Sequence, residues 1–331
     1  MRRATLAFLL RAALPAGALA LALRGVAWPA VTETLRGATV LPLLALVAVN
    51  GLLMTVKGAR LRWLLGRAAS LRCCLLAKLT ASAMNSVVPF RGGDLARLWM
   101  LERHARISKT VAAAVAVVES LFELAALASV ALIGGLLSHQ RWATVTSAVL
   151  ASLAAVLIGV ARAVARRPTP PPATGGTMRD RWRRLRARIQ PGLGPLGERG
   201  VLGRVLAASL TTWTLEILML VLCARALHLP IGPALAAVVL LAINMALAVP
   251  SAPAGAGAFE GAVVVVLTLA GVAKPAAVAF ALLYHLIQVV PVVLAGALVV
   301  WRSGLMLERL RPPQPVTKAI ARPSQPLTPT V

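Results

Sequence analysis

Acidic residues are scarce in this sequence: 10 Asp and Glu stand against 35 Lys and Arg in 331 residues, for a formal net charge of +25. Charge of either sign is also rare, at 14% of the chain. Three cysteines, Cys73, Cys74 and Cys223, are too few and too scattered for a disulfide frame, and core packing is their expected role. Neither they nor the four histidines, His104, His139, His228 and His285, show metal-ligand spacing, so no metal and no other cofactor is expected. No phosphate-binding glycine loop and no Ser/His/Asp grouping is present, which leaves nucleotide hydrolysis and hydrolytic triads without support.

What fills the chain instead is apolar: 59% of residues are hydrophobic and the mean hydropathy is +0.83. One soluble core cannot hide that much apolar surface, so lipid must serve as solvent. A helix needs about 20 apolar residues to cross roughly 30 Å of hydrocarbon. Stretches of that kind lie near 4 to 23, 38 to 56, 110 to 137, 142 to 161, 203 to 224 and 275 to 300. Three further runs, 71 to 90, 233 to 249 and 257 to 273, are shorter or broken by Pro and Gly. The fold class expected is all-α, a polytopic membrane protein of six to eight spans with one or two re-entrant broken helices and an internal pseudo-repeat.

The basic residues partition. Arg2 and Arg3, Lys57 to Arg72, Arg91 to Lys109, Arg162 to Arg204 and Arg302 to Arg322 group on one face; Arg24, Arg36, Arg141, Arg225 and Lys274 remain for the other. This asymmetry places both termini in the cytoplasm and argues against nucleic acid as a partner. The start, Met1-Arg2-Arg3, resembles a secretory signal, but Arg11 interrupts its apolar run and a retained first helix is expected. A membrane domain of residues 1–311 follows, with halves 1–161 and 203–302 joined by a basic loop at 162–202. A Pro-rich, disordered tail is expected over 312–331.

Within the loop, Met178, Trp182, Leu185 and Ile189 recur at helical spacing while arginines fill the other faces. That pattern fits a helix lying on an anionic leaflet, where each Arg is worth about 1 kcal/mol; a solvated, partly disordered loop is the alternative. The run 71 to 90 has basic segments on both sides, so it must enter and return, its broken backbone buried in protein or facing a polar cavity around Asn85 to Asp94. Residues 233 to 273 form either a second such hairpin or two ordinary spans meeting at Pro250.

The two breaks share an order of residue types. Asn85, Pro89, Arg91, Gly92, Gly93, Asp94 and Arg97 in the first half are echoed by Asn244, Pro250, Pro253, Gly255, Gly257 and Glu260 in the second. Paired broken elements in two halves point to a transporter's binding site. Their glycines let backbone approach a ligand, free amides at a restarting helix suit phosphate, and Arg91 and Arg97 offer planar forks to it. Fixing topology at the interface is the plainer role for the same arginines.

Carboxylates inside apolar helices are costly and therefore informative. Glu119 and Glu123 lie four apart, on one helical face, and Glu216 falls near the middle of its span. With Glu260 they are expected to carry protons, to pair with Arg91 or Lys78, or to contact an amine-bearing headgroup; a structural ion pair is the alternative.

These residues carry a family resemblance. Asn85-x-x-x-Pro89-x-Arg91-Gly92-Gly93-Asp94-x-x-Arg97, Val118-Glu119, Trp213-x-x-Glu216, Pro250-x-x-Pro253-x-Gly255-x-Gly257-x-x-Glu260, and Gly271 through Leu283-Tyr284 resemble the flippase-like family, the lysylphosphatidylglycerol synthase transmembrane region. The resemblance runs from the second span to about Arg302. Where the family usually has Arg after the first glutamate and after the Leu-Tyr pair, this chain has Ser120 and His285, so His285 is a titratable stand-in partner for a carboxylate.

The resemblance implies movement of phospholipid, including aminoacylated or glycosylated lipid, between leaflets of a bacterial inner membrane. Bifunctional relatives carry a soluble aminoacyl-transfer domain, whereas only residues 303–331 follow the last span here, so the catalytic half is expected to be lacking and the chain not to be an enzyme. Expected partners are anionic membrane phospholipid, a cytoplasmic lipid-modifying enzyme and a second copy of the chain. Two rival readings follow: a non-transporting scaffold that docks a cytoplasmic glycosyl- or aminoacyl-transferase, and a membrane enzyme using Asp94 or Glu260 as general base on lipid-linked sugars.

Overall fold

The computed structural model describes residues 17, 20, 23–87, 92–168, 176–248 and 253–302. Among these the chain is helical throughout, with no strand. Eleven α-helices follow in order: α1 Trp28–Arg36, α2 Val40–Leu64, α3 Leu71–Val87, α4 Gly92–Ala105, α5 Lys109–Leu137, α6 Arg141–Arg166, α7 Met178–Leu193, α8 Arg199–Ala226, α9 Pro233–Ala248, α10 Ala258–Leu269 and α11 Lys274–Arg302. Short 3-10 turns, Gly194–Gly197 and Pro253–Gly255, precede α8 and α10. The expected first span, 4 to 23, and the tail lie almost wholly outside the described residues, as do Pro89, Arg91 and Pro250.

Five helices, α2, α5, α6, α8 and α11, are long and apolar enough to cross a membrane. They correspond to the apolar runs at 38 to 56, 110 to 137, 142 to 161, 203 to 224 and 275 to 300. The three shorter runs give the single helices α3, α9 and α10. α9 pairs with α10, and α3 pairs with α4, which comes from the basic segment after residue 90; contrary to expectation, the run 71 to 90 does not enter and return by itself. At about 1.5 Å per residue, α9 is roughly 24 Å long and α10 roughly 18 Å, short of the roughly 30 Å of hydrocarbon.

Local chemistry fixes several boundaries. Thr39 precedes α2, and its amide donates to the Ala226 carbonyl at 2.9 Å, tying the start of α2 to the end of α8. Ser108 caps α5 by accepting from the Val111 amide at 3.3 Å. Inside α11, Pro291 has no N–H to offer the Ile287 carbonyl. Asn50 of α2 supplies the missing donor: its Nδ2 lies 3.4 Å from the Ile287 carbonyl and 3.2 Å from that of Gln288.

Small residues set the close approaches. A Cβ on Gly93 would fall 1.9 Å from the Ala81 carbonyl oxygen, so α4 starts against the backbone of α3. Ala81 is six residues before the end of α3 at Val87, and the two helices double back as a hairpin. Gly296 of α11 meets Ala83 and Leu79 of α3, and Gly134 of α5 meets Ala237 of α9 in the same way. The turn at Pro253–Gly255 packs against α3, which brings the two broken elements together.

Burial is arranged in two apolar clusters. One gathers Leu46 and Leu53 of α2, Leu127 and Ala131 of α5, Met219 to Ala224 of α8 and most of α9, α10 and the first half of α11. The other gathers Leu61 and Leu64 of α2, Cys74 of α3, Met100 and Leu101 of α4, Val115 to Phe122 of α5, and Val201 and Val205 of α8. Cys74 and Cys223 are buried and Cys73 half-buried, all unbridged. The second cluster draws on each of the described basic segments: Leu61 and Leu65 come from the first, Met100 and Leu101 from α4, and Leu193 and Leu196 from the central loop, with Val300 beside Arg302 packed against them. The basic segments therefore converge at one end of the bundle, and the sequence's charge partition is also a partition of the fold.

These close approaches make a direct expectation. Gly93→Ala must push α4 off a backbone carbonyl, which costs about 1–3 kcal/mol. Gly51→Ala, on α2 with no described atom within 4 Å of the added methyl, does not lower stability. Thermal unfolding of the two variants in detergent separates the outcomes; equal midpoints would refute the packing argument.

Candidate functional site

Between the two apolar clusters lies a polar layer. Along α2 the core-facing positions run Leu46, Asn50, Leu53, Lys57, Arg60, Leu64, spaced four and three apart, so two cations occupy positions otherwise used for packing. Along α5 the same interval holds Glu119 and Glu123, and along α8 it holds Ser209, Thr212 and Glu216. Helical registers of three long helices thus bring their polar residues to one depth.

Glu119 is the hub. Its Oε1 accepts from Arg60 Nη2 at 3.0 Å and from Lys78 Nζ at 2.7 Å, and its Oε2 from Arg97 Nη1 at 2.6 Å. Arg60, with 0% exposure, also reaches Glu123 and donates through Nη1 to Ser209 Oγ at 3.1 Å. Trp213 Nε1 fixes the backbone beneath by donating to the Glu123 carbonyl at 2.8 Å. With all five ionised, three cations face two carboxylates, and one positive charge is in excess among the described residues. Arg97 is 4% exposed, and its Nε has no hydrogen-bond partner among the described residues.

A second group lies alongside. Glu216 receives Lys57 Nζ at 3.2 Å on Oε1, and on Oε2 both the Tyr284 hydroxyl at 3.2 Å and Gln288 Nε2 at 3.0 Å. Next to Tyr284, His285 Nδ1 lies 2.6 Å from Glu260 Oε1, and the imidazole stacks on Phe259 with centroids 4.3 Å apart. Glu260 Oε2 turns back to accept from the Gly257 amide at 2.6 Å. His285, expected from the sequence as a titratable partner for a carboxylate, contacts Glu260 directly.

The two breaks are built differently in detail. In the first, Asn85 Oδ1 accepts from the Gly93 amide at 2.8 Å, so one of the amides at the restarting helix is bonded within the hairpin. Asn244, its counterpart, donates to the Leu240 carbonyl of its own helix at 2.9 Å, and capping of α10 falls to Glu260. The second turn needs left-handed backbone: φ is +56° at Ala254, +76° at Gly255 and +88° at Gly257. The φ of Gly255 favours glycine, and a Cβ there would lie 2.1 Å from Leu247 Cδ2, which would have to move aside. Gly92 begins α4, and Asp94 is exposed on its first turn, away from the buried cluster.

Sequence reading brought Glu119, Glu123, Glu216, Glu260, His285, Arg97 and Lys78 into view, but assigned Lys57 and Arg60 to a topological basic segment. The signal that finds them is the continuation of the core-facing spacing of α2 through residues 57 and 60. Asn50 and Gln288 carry no signal of their own, because amides inside apolar helices are recognised only once Pro291 and Glu216 face them.

The fold and this layer define a multi-pass membrane protein whose buried centre is ionic. The chain belongs to the family of the lysylphosphatidylglycerol synthase TM region, whose model matches residues 6–296. That membership gives the protein a membrane-lipid-related role. No curated protein matches the chain significantly.

Removing the hub charge is the sharpest test of the layer. Glu119→Gln leaves Arg60, Lys78 and Arg97 without their shared anion, and breaking such a buried pair costs about 3–5 kcal/mol. Glu123→Gln, whose side chain is 33% exposed and pairs with Arg60 alone among these cations, costs less than half as much. Thermal unfolding midpoints of the two variants in detergent check the order; Glu123→Gln as the more damaging change would overturn the assignment of Glu119 as hub.

Proposed function

We propose that the protein moves phospholipid between the leaflets of a bacterial inner membrane, with the polar layer receiving the headgroup and both termini in the cytoplasm. The observation that carries this reading is the buried cation excess around Glu119 among the described residues, which reaches Arg97, whose Nε has no partner among them. Uncompensated charge inside a membrane protein is expensive, and a phosphodiester is the anion a lipid brings to it. Arginine's donors match phosphate oxygens. Gathering of the basic segments at one end of the bundle supports placing that end in the cytoplasm.

On this reading the hairpins α3–α4 and α9–α10 are re-entrant, and their breaks mark the route from each side. The protein is a carrier, not a catalyst: both oxygens of Glu260 are engaged, by Gly257 and His285, which does not suit a general base. Asp94 is exposed at the start of α4, apart from the other carboxylates.

Leaflet exchange of headgroup-labelled phosphatidylglycerol in liposomes containing the purified chain tests the proposal, with and without a pH gradient. Wild-type protein is expected to accelerate exchange over empty liposomes. Arg97→Gln is expected to slow it about tenfold, equivalent to the roughly 1.4 kcal/mol of a modest charge-assisted contact. Glu260→Gln is expected to slow it as well by loosening the cap of α10. Exchange no faster than in empty liposomes under either condition would sink translocation of this lipid.

A further inference from the structure

The helix α7 has no part in the polar layer, yet it carries the densest charge in the chain. Residues 178–189 hold six arginines against one aspartate, with Met178, Trp182, Leu185 and Ile189 on one stripe. It is a capped helix: Thr177 accepts from the Asp180 amide at 3.2 Å at its start, and Pro191 lies in its last turn, before the 3-10 turn at Gly194–Gly197. The Thr177 hydroxyl donates to Asp180 Oδ2 at 2.6 Å and holds that carboxyl below the usual range, so the cap stays ionised.

One end of α7 is fastened and the other is bare. Gly192 sits against α5, where a Cβ would come within 2.8 Å of the Val111 carbonyl oxygen and 2.9 Å of the Ala114 methyl. Leu193 is buried in the apolar cluster at the basic end of the bundle. Gln190 bonds the Arg167 carbonyl, and Arg186 Nη2 donates to that of Pro168 at 2.8 Å. In contrast, Met178 is 66% exposed, Trp182 65% and Leu185 46%, so no described residue covers the apolar stripe.

The attachment point sets the depth. Val111 lies in the first turn of α5, a helix that begins at Lys109 and is long and apolar enough to span. The fastened end of α7 is therefore level with the end of a membrane-crossing helix, where headgroups meet hydrocarbon. An apolar stripe with tryptophan, bordered by arginines whose stems can lie along hydrocarbon while their heads reach phosphates, fits that boundary. Six arginines against one aspartate choose the sign of the surface.

We infer that α7 is a docking helix for an anionic phospholipid leaflet, inserting Met178, Trp182 and Leu185 between acyl chains while Arg179, Arg181 and Arg188 bind lipid phosphates. The inference rests on the membrane location of the chain and not on lipid translocation, and it is tested without any transport readout. Because α7 is fastened to α5, which carries Glu119 and Glu123, the leaflet grips the same helix that holds the ionic hub.

Hydrogen exchange of the full chain in nanodiscs decides the matter, comparing phosphatidylcholine alone with a phosphatidylcholine and phosphatidylglycerol mixture. Amides of 178–189 are expected to exchange about tenfold more slowly in the anionic discs, and raised salt should remove most of that difference. The combined change Arg179→Gln, Arg181→Gln and Arg188→Gln, all on exposed side chains, is expected to abolish it while exchange in α5 stays unchanged. Equal exchange of 178–189 in the two discs overturns the inference. So does a difference that survives the triple substitution, or protection that arises only when an acidic protein is added.

Discussion

Burial of the Arg60 guanidinium against Glu119 is the constraint around which the rest is arranged. Neither group tolerates removal from water unless the other is present and its remaining hydrogen-bonding positions are filled. The fold meets this by converging four helices on one carboxylate, α2 giving Arg60, α3 Lys78, α4 Arg97 and α5 the glutamate itself, while α8 offers the Ser209 hydroxyl as acceptor to Arg60. Each contact fixes a helix in rotation and in height, which a lipid-facing apolar surface cannot do, since one leucine meets an acyl chain as well as the next. Close glycine contacts such as Gly93 on Ala81 and Gly296 on Ala83 then fix distance.

The apolar part of this design is legible in the sequence because membrane-crossing length is a one-dimensional property. Five of the expected spans are long apolar helices, whereas the run at 71 to 90 does not return by itself: its described part is the single helix α3, and the hairpin is completed by α4 from the basic segment that follows. The charge pattern is legible for the same reason, since loops are contiguous. Partnerships are different in kind. Arg60 finds Glu119 across 59 residues and Lys57 finds Glu216 across 159, and only the three-dimensional register of α2 on α5 and α8 decides which cation is structural and which marks an interface. The amphipathic stripe at Met178 to Ile189 was readable as a helix, but not its fastening to α5, which depends on one glycine and a tertiary contact.

The two halves repeat a pattern without repeating its chemistry. Asn85 caps the restarting α4 from across the break, whereas α10 is capped from within by Glu260, and Asn244 is left to its own helix. The difference follows from the turns. Left-handed backbone at Ala254, Gly255 and Gly257 tightens the second break, so a side chain three residues into α10 is the one placed to reach its first amides. A carboxylate in that position needs a partner, and His285 supplies it from the neighbouring α11.

That partnership links the two breaks through the ionic layer. From the Gly257 amide the contacts run to Glu260 and His285; beside His285, Tyr284 donates to Glu216, which holds Lys57. Three residues further along α2, on the same face, Arg60 binds Glu119, and Glu119 binds Arg97 in the first hairpin. The only steps not made by a hydrogen bond or ion pair are between neighbours on a single helix. On the proposed function, an anion that enters at Arg97 would compete with Glu119 for the guanidinium, and the carboxylate so released would still have Arg60 and Lys78 to hold it. The layer can therefore exchange one partner without exposing a bare charge, a property that two isolated ion pairs would lack and that a route for a phosphate through the protein requires.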